Sequence, residues 1–469
     1  MTTREYESIL LAHTMMELIS NILHSICNFL WSYVLLFVLL GTHLYLTVVL
    51  RAPQRHLLKA FKCYFPKKGE AGGQISQFSA LMVSLASNVG VGSIAGVATA
   101  VAKGGPGAIF WLVIIGFLGM STRYAESLLA IRYRVQDKNG NLSGGPMYAI
   151  ERGLKCKWLA VLFAVFTAIA AFGIGNIVQA NTIAQTLPIS PQITGVVLAL
   201  LVAGVLICGL KGISRACSAL VPAMAFVYLL GCGIVLAVNC SFIGNAICLI
   251  FEQAFSLSAA TGGVLGATII IAMREGASRS LFATEAGLGS APIVSASVKT
   301  DNPVQQALVA YTAPFWTVII CTLTGVTLTT SFLAAGHADA THFNMADAFG
   351  SVGSWGALLL TISLSAFVIS TLLGWSLYGE KSLEYLGGRK LITPYRVLWV
   401  IAVYVGCVIQ KSDIVWNFSD IANGLMAIPN LICVIVLSGI IIKETRYYLK
   451  DNNLYKKDET PIPVVDEKN

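Results

Sequence analysis

The chain has 469 residues, 56% of them hydrophobic and 12% charged, with a mean hydropathy of +0.75. Soluble globular domains carry about a quarter charged residues, so this composition argues against a soluble enzyme or binding module and turns most of the surface toward lipid. The net charge of +8 follows the connections between apolar runs, which reads as membrane topology and not as a nucleic-acid surface.

In chain order, the first 25 residues lack the short apolar core and small-residue cleavage site of a signal peptide, so the hydrophobic segment after them is expected to be retained. Apolar stretches of about 18 or more residues then recur, each long enough to cross a hydrocarbon core as a helix. Spans are predicted at 26–50, 76–102, 107–131, 158–186, 192–209, 214–238, 260–275, 304–332, 354–378, 394–411 and 418–442. Backbone groups in lipid must pair within their own segment, so the fold class is an all-α integral membrane protein of about 11 transmembrane helices. Residues 243–255 read as a short interfacial helix, and 278–300 are too polar for a clean span. The charged tail from about 447, with its prolines, reads as a mobile end. The 11 cysteines are scattered singly without a Cys-x-x-Cys pair, which suits small packing residues better than a disulfide framework or a zinc site.

Lysine and arginine accumulate in cytoplasmic loops. With the N-terminus outside, 27 of them fall in inner segments, Arg274, Arg279 and Lys299 included, against Arg4, Lys103 and Lys411 outside and Arg123 within a span. An odd number of spans, with a cytoplasmic C-terminus, follows.

The run "SNVGVGSIAGVA" (87–98) places glycines inside a span, where each costs a helix about 1 kcal/mol relative to alanine. Gly90 and Gly92 would allow the helix to unwind. Such breaks are tolerated in lipid only where protein or a water-filled cavity satisfies the backbone, and they mark ion and substrate sites in secondary transporters. Freed amides at the start of the following half-helix suit an anion; freed carbonyls at the end of the preceding one suit a cation. Close packing of small residues is the competing reading. A second glycine-punctuated segment, with Gly262, Gly263 and Gly266, opens the second half. With the first helix set aside as an extra, the remaining spans divide five and five, and an odd number per half gives an inverted repeat with discontinuous first helices. The chain then divides into 1–75 (outer N-terminus, extra helix and cytoplasmic loop), 76–238 (first repeat), 239–442 (second repeat with interfacial helices) and 443–469 (cytoplasmic tail).

Six blocks carry a resemblance: "GVGSIAGVATAVAKGGPGAIFW" (90–111), "GGPMYAIERGL" (144–154), "GNIVQANTIA" (175–184), "SRSLFATEAGLGSAP" (278–292), "TLLGWSLYGEKSLEYLGG" (371–388) and "DIANGLMAIPNLI" (420–432). In this order they resemble the alanine or glycine:cation symporter family over nearly the whole chain. The resemblance implies a fold like that of the bacterial leucine transporter and a sodium gradient, in some members protons, driving uptake of alanine or glycine. It also implies a substrate pocket built from Gly90, Gly92, Asn176, Gln179, Thr371 and Trp375. Asn176 and Gln179 are three apart and share a helix face; for these two and Asn181 the competing reading is interhelical hydrogen bonding.

No Asp falls in mid-membrane, and the carboxylates nearest the spans are Glu126, Glu275, Glu285 and Asp420. A sodium site would therefore be neutral, made of carbonyls around Ala86 and Val89 with the hydroxyls of Ser370 and Thr371, since hard cations accept oxygen cages. Arg279 and Glu285 are a possible gate pair or, equally, a structural salt bridge. The chain departs from the family pattern at Val91, Ser93, Gln74 and Thr284, which touches substrate preference and ion identity.

The expectation is a secondary transporter of the cell membrane for a small neutral amino acid, with sodium as coupling ion, no organic cofactor and no nucleic-acid partner. A proton-coupled carrier of D-alanine or serine is the alternative. A passive channel would show a continuous polar stripe. A membrane-embedded enzyme would need a catalytic set, yet His337 and His342 lie in a predicted outer loop. The oligomeric state is left open.

Overall fold

Apolar runs become helices because a lipid-facing backbone has no other partner for its amides and carbonyls. The structure, a computed structural model, describes residues 15, 17, 18, 20–64, 74–255, 269–336, 344–409, 412–450 and 453–465. Gly262, Gly263, Gly266, His337, His342 and Lys411 lie outside the described residues.

The principal helices are α1 (Leu36–Val49), α2 (Gln77–Asn88), α3 (Val97–Gly104), α4 (Gly107–Arg132), α5 (Lys157–Phe172), α6 (Val178–Thr186), α7 (Pro191–Leu206) and α8 (Gly209–Val238). They continue with α9 (Ile243–Ala254), α10 (Ile269–Thr284), α11 (Pro303–Ala310), α12 (Thr312–Ala334), α13 (Ser354–Gly387), α14 (Ile392–Val408), α15 (Ser412–Val436) and α16 (Ser438–Leu449). Among the described residues seven helices are long and apolar enough to cross a membrane, or nine if two bent pairs each count as one span. The bent pairs are Leu36–Val49 with Pro53–Lys62, at 56°, and Gln77–Asn88 with Gly92–Gly104, at 51°.

Local chemistry sets the ends. Ser76 accepts from the Ser79 amide at 3.0 Å to start α2, and Asn302 accepts from the Gln305 amide at 3.0 Å, ahead of Pro303, to start α11. Side-chain caps of this kind satisfy amides that a helix start leaves free. α13 lies at the centre, packed on α2, α5 and α8, while α4 packs against α10, α11 and α12. A two-residue hairpin, β1 (Val135–Gln136) with β2 (Leu142–Ser143), marks one end of the bundle, called here the hairpin face.

Three expectations change. Of the span expected at 260–275, residues 260–268 lie outside the described residues, and 269–275 open the helix α10, which runs on to Thr284. α10 is antiparallel to α3: Ala272 and Glu275 lie beside Gly104, and Arg279 beside Gly96. Arg274 and Arg279 therefore sit toward the Lys103 end, opposite the hairpin face, and not on the side of Lys299, whose amide donates to the Ile75 carbonyl at 3.0 Å. The span 418–442 ends at Val436, and Leu437 separates it from α16.

The third change concerns the tail, which is docked over 453–465. The Leu454 carbonyl accepts from Asn302 Nδ2 at 2.7 Å and Gln305 Nε2 at 2.8 Å, and the Asp458 amide donates to the Asp301 carbonyl at 2.7 Å. Gln136 donates to the Pro463 carbonyl at 3.0 Å and accepts from the Val465 amide at 2.9 Å, so the tail pairs with the hairpin. Charge and proline content hide this, because the bonds are to backbone and Leu454 is buried. Each such bond contributes about 1 kcal/mol net. Deleting 451–469 is expected to lower the melting temperature of the detergent-purified protein; an unchanged melting temperature would show that the docking adds no stability.

Candidate functional site

At the first break Val89 leaves the helix, with φ −87° and ψ 77°. The Gly90 amide donates to the Asn88 carbonyl at 3.1 Å, which takes the Ala86 carbonyl out of the helical ladder. Thr371 Oγ1 of α13 donates to that freed carbonyl at 2.8 Å, and Ser370 Oγ approaches it at 3.5 Å. Three of the four expected cation-site residues, Ala86, Ser370 and Thr371, therefore converge; Val89 is buried at the break itself.

Beyond the break, residues Gly92–Gly96 form a π-helical turn before α3. A second π-helical turn, Gly173–Ile177, joins α5 to α6, and such turns gather at functional positions. It aims Gln179 into the first break: Gln179 Oε1 accepts from the Val91 amide at 3.2 Å, while Nε2 donates to the Ile174 carbonyl at 2.9 Å. A Cβ on Gly90 would collide with Thr371 Oγ1 and lie 3.2 Å from Gln179 Oε1. Gly90 is thus where helix, hydroxyl and amide meet.

Trp375 is fully buried, packed on Gly175 and edge-on to Tyr378 at 5.3 Å. Tyr378 reaches back to α2, where Ser87 Oγ donates to its hydroxyl at 3.0 Å. Asn176 donates to the Trp399 carbonyl at 2.9 Å and keeps a buried Oδ1 without a partner. Asn181 donates to the carbonyls of Gly406 and Ile409, clipping α6 to α14 away from the break. Gly92 faces the Phe282 ring instead of the Gln179 side.

The second interruption lies after α10. Glu285, Gly287 and Gly289 take positive φ, and the Thr284 carbonyl accepts from Asn88 Nδ2 at 3.0 Å and Arg123 Nη2 at 2.7 Å. The two breaks thus face each other. The expected Arg279–Glu285 pair does not form. Six residues separate them, which along a helix is roughly 9 Å, and Glu285 lies past the helix end, where Ser290 Oγ donates to it at 2.5 Å. Arg279 pairs with Asp420 of α15, and its guanidinium lies 5.7 Å from the Phe282 ring and 5.0 Å from that of Trp416.

The four departures have local partners. The Val91 amide holds Gln179, Ser93 Oγ donates to the Asn88 carbonyl at 3.4 Å, and Thr284 Oγ1 donates to the Ser280 carbonyl at 2.7 Å. Gln74 donates to Asn141 at the hairpin, so its departure is remote from the breaks. Among the described residues no group of three His, Cys, Asp or Glu is arranged for a metal. Sequence reasoning passed over Asn88, Phe282, Tyr378 and Trp416; only Asn88 carried a signal, as the polar residue next to the glycines.

A model of the sodium:alanine symporter family matches residues 16–462. The sodium/alanine symporter AgcS of Methanococcus maripaludis is 45% identical, covering 91% of this chain and 97% of its own. An uncharacterized transporter of Haemophilus influenzae is 44% identical, covering 94% of this chain and 99% of its own. A solved structure of MhsT in complex with L-phenylalanine superposes with a TM-score of 0.58 at 16% identity, covering 79% of this chain and 90% of that one. That likeness shows a shared fold.

Proposed function

This chain belongs to the sodium:alanine symporter family, and we propose that it takes up a small neutral amino acid, alanine or glycine, driven by sodium. As a member it is a multi-pass membrane protein and a cation-coupled amino-acid symporter, not an enzyme. One observation supports the finer reading most: at a single helix break a freed carbonyl, Ala86, meets two hydroxyls while the amide beyond it, Val91, meets only a side-chain amide.

In this reading sodium binds Ala86, Val89, Ser370 and Thr371 at the carbonyl end of α2, where the helix dipole is negative. The substrate carboxylate takes the Val91 amide in place of Gln179 Oε1. The free Oδ1 of Asn176 and neighbouring carbonyls receive the ammonium, and Trp375 walls off side chains larger than about a methyl group. Such a wall separates neighbours differing by one methylene by only about 1–3 kcal/mol. Because cation and substrate hold the same break, each raises the other's affinity by the same factor. Alternating access would follow from rocking of the two inverted halves, with the N-terminus outside the cell membrane and the C-terminus within.

The test is uptake of labelled alanine into proteoliposomes under an inward sodium gradient, an inward proton gradient, or neither. Accumulation with sodium alone is expected. Accumulation with protons alone would favour the D-alanine or serine carrier, and uptake indifferent to both gradients would sink the coupled reading. Thr371→Val keeps shape and deletes one ligand oxygen. Contacts to charged groups contribute about 1.5–3 kcal/mol, so the sodium concentration for half-maximal uptake is expected to rise about ten- to hundredfold. An unchanged sodium dependence would remove Thr371 from the cation site.

A further inference from the structure

Behind the second break lies a buried cluster that the substrate and sodium reading does not use. Arg123 and Glu126 sit three apart on α4, on one helix face, and with Glu285 all three are at most 2% exposed. Glu126 Oε1 accepts from the Gly287 amide at 3.0 Å and from Asn430 Nδ2 at 2.5 Å, and the same Asn430 Nδ2 donates to the Gly287 carbonyl at 2.8 Å. Asn430, next to Pro429 inside α15, also presses on Gly289, whose φ of +77° and lack of space leave no room for a side chain. Glu126 thus clamps the break between α4 and α15.

The charges do not balance. Arg123 is one cation facing two carboxylates, and among the described residues no carboxylate lies within 4.0 Å of it; its bond goes to the Thr284 carbonyl. One oxygen of each carboxylate, Glu126 Oε2 and Glu285 Oε1, is buried without a hydrogen bond of good geometry, with the Gly289 amide and the Trp375 indole as neighbouring donors, and Nε and Nη1 of Arg123 are likewise unbonded. Among the described residues, the groups facing the cluster from other elements supply no second cation. They are Cys433 and Asn430 of α15, Tyr378 and Trp375 of α13, and Ser290 beyond the break. His43 of α1 binds Thr122 on the neighbouring turn of α4 through Nδ1, at 2.7 Å. Glu275 and the Arg279–Asp420 pair lie further along α10, toward Lys103. An unpaired buried charge is far too costly to keep when a proton can neutralise it. Glu285 also holds a left-handed backbone, φ 52°, a strain of the order of 1 kcal/mol or more that persists where the surroundings enforce it.

We propose that Arg123, Glu126 and Glu285 form a proton site: the guanidinium balances one carboxylate, and the other carries one exchangeable proton in the arrangement described here, in which all three are buried. The proton comes from bulk water and returns to it when the second break moves, since the movement takes the Gly287 amide from Glu126 and opens Glu285 to solvent. No bond other than the carboxyl O–H forms or breaks. The site is separate from the oxygen set at Ala86 and Thr371, so proton and sodium occupy different breaks.

Infrared difference spectroscopy of the purified carrier, stepped from acid to alkaline pH, reads the proton without needing any cargo. The wild type is expected to show the carbonyl stretch of a buried protonated carboxylic acid at neutral pH. Glu126→Gln preserves the acceptor for the Gly287 amide, and Glu285→Gln preserves the acceptor for Ser290; either removes one negative charge, so the band is expected to vanish in each. Should one variant fail to fold, the other carries the comparison. A wild type without the band, or a band that survives in both variants, would overturn the proposal. In proteoliposomes with a fixed sodium gradient, the wild-type uptake rate should change about tenfold per pH unit on its titrating limb, the slope of one proton, and both variants should be flat. Absence of alanine uptake at every pH would count against the cargo assigned above and leave the infrared result to decide the proton.

Discussion

Gly90→Ala is expected to abolish uptake while leaving a folded protein. The added methyl would overlap Thr371 Oγ1 and crowd Gln179 Oε1, and neither side chain is free to retreat: Thr371 is bonded to the Ala86 carbonyl and Gln179 to both the Val91 amide and the Ile174 carbonyl. Overpacking of this kind costs about 1–3 kcal/mol. The cost falls on the cation hydroxyl and the substrate amide together, which are coupled, so the loss in uptake should exceed what either contact would give alone. Alanine uptake of the variant below about a hundredth of wild type, with a melting temperature within a few degrees, is the expected pair of results. Uptake near wild type would mean that Thr371 and Gln179 do not meet at Gly90 during transport. Gly244, where nothing lies within 4 Å of a built Cβ, provides the control position.

Nine of the eleven expected spans and the first break were legible because both depend on local properties: apolar length for the one, glycine in an apolar run for the other. Gln179 and Thr371 came within reach through the family resemblance, Ala86 and Ser370 through the need for a neutral oxygen set, and the four side chains and carbonyls meet at the first break. The glycines expected to open the second half, Gly262, Gly263 and Gly266, lie outside the described residues, and the interruption seen among the described ones is at Glu285, Gly287 and Gly289. That stretch looked like a polar loop, and its burial depends on Asn88, Arg123 and Asn430 arriving from other helices. For Asn181 two readings stood open, pocket or interhelical hydrogen bonding, and two carbonyls of α14 claim it. The partner of Arg279 was illegible for a similar reason, since 141 residues separate it from Asp420.

That pair leads to the second large effect. Asp420→Ala would leave the Arg279 guanidinium buried, 3% exposed, with no counter-ion, and breaking a buried pair in this way costs about 3–5 kcal/mol. A large drop in melting temperature is therefore expected, together with loss of uptake. The double variant Arg279→Met/Asp420→Ala should recover much of the stability, because exchanging a buried pair for apolar groups is often neutral or favourable. It should not recover function. The pair is incompletely satisfied, with Arg279 Nε and Nη1 and Asp420 Oδ1 lacking partners, so the closed arrangement retains part of the desolvation cost. If α10 and α15 part during transport, water reaching these atoms would offset that cost and bring the two states closer in energy. Removing both charges deletes that balance and the seat of the guanidinium on Phe282 and Trp416, and a carrier biased to one state turns over slowly however stable it is. A double variant with restored melting temperature and uptake still about tenfold or more below wild type would establish the pair as a conformational balance; restored uptake would reduce it to a structural bridge.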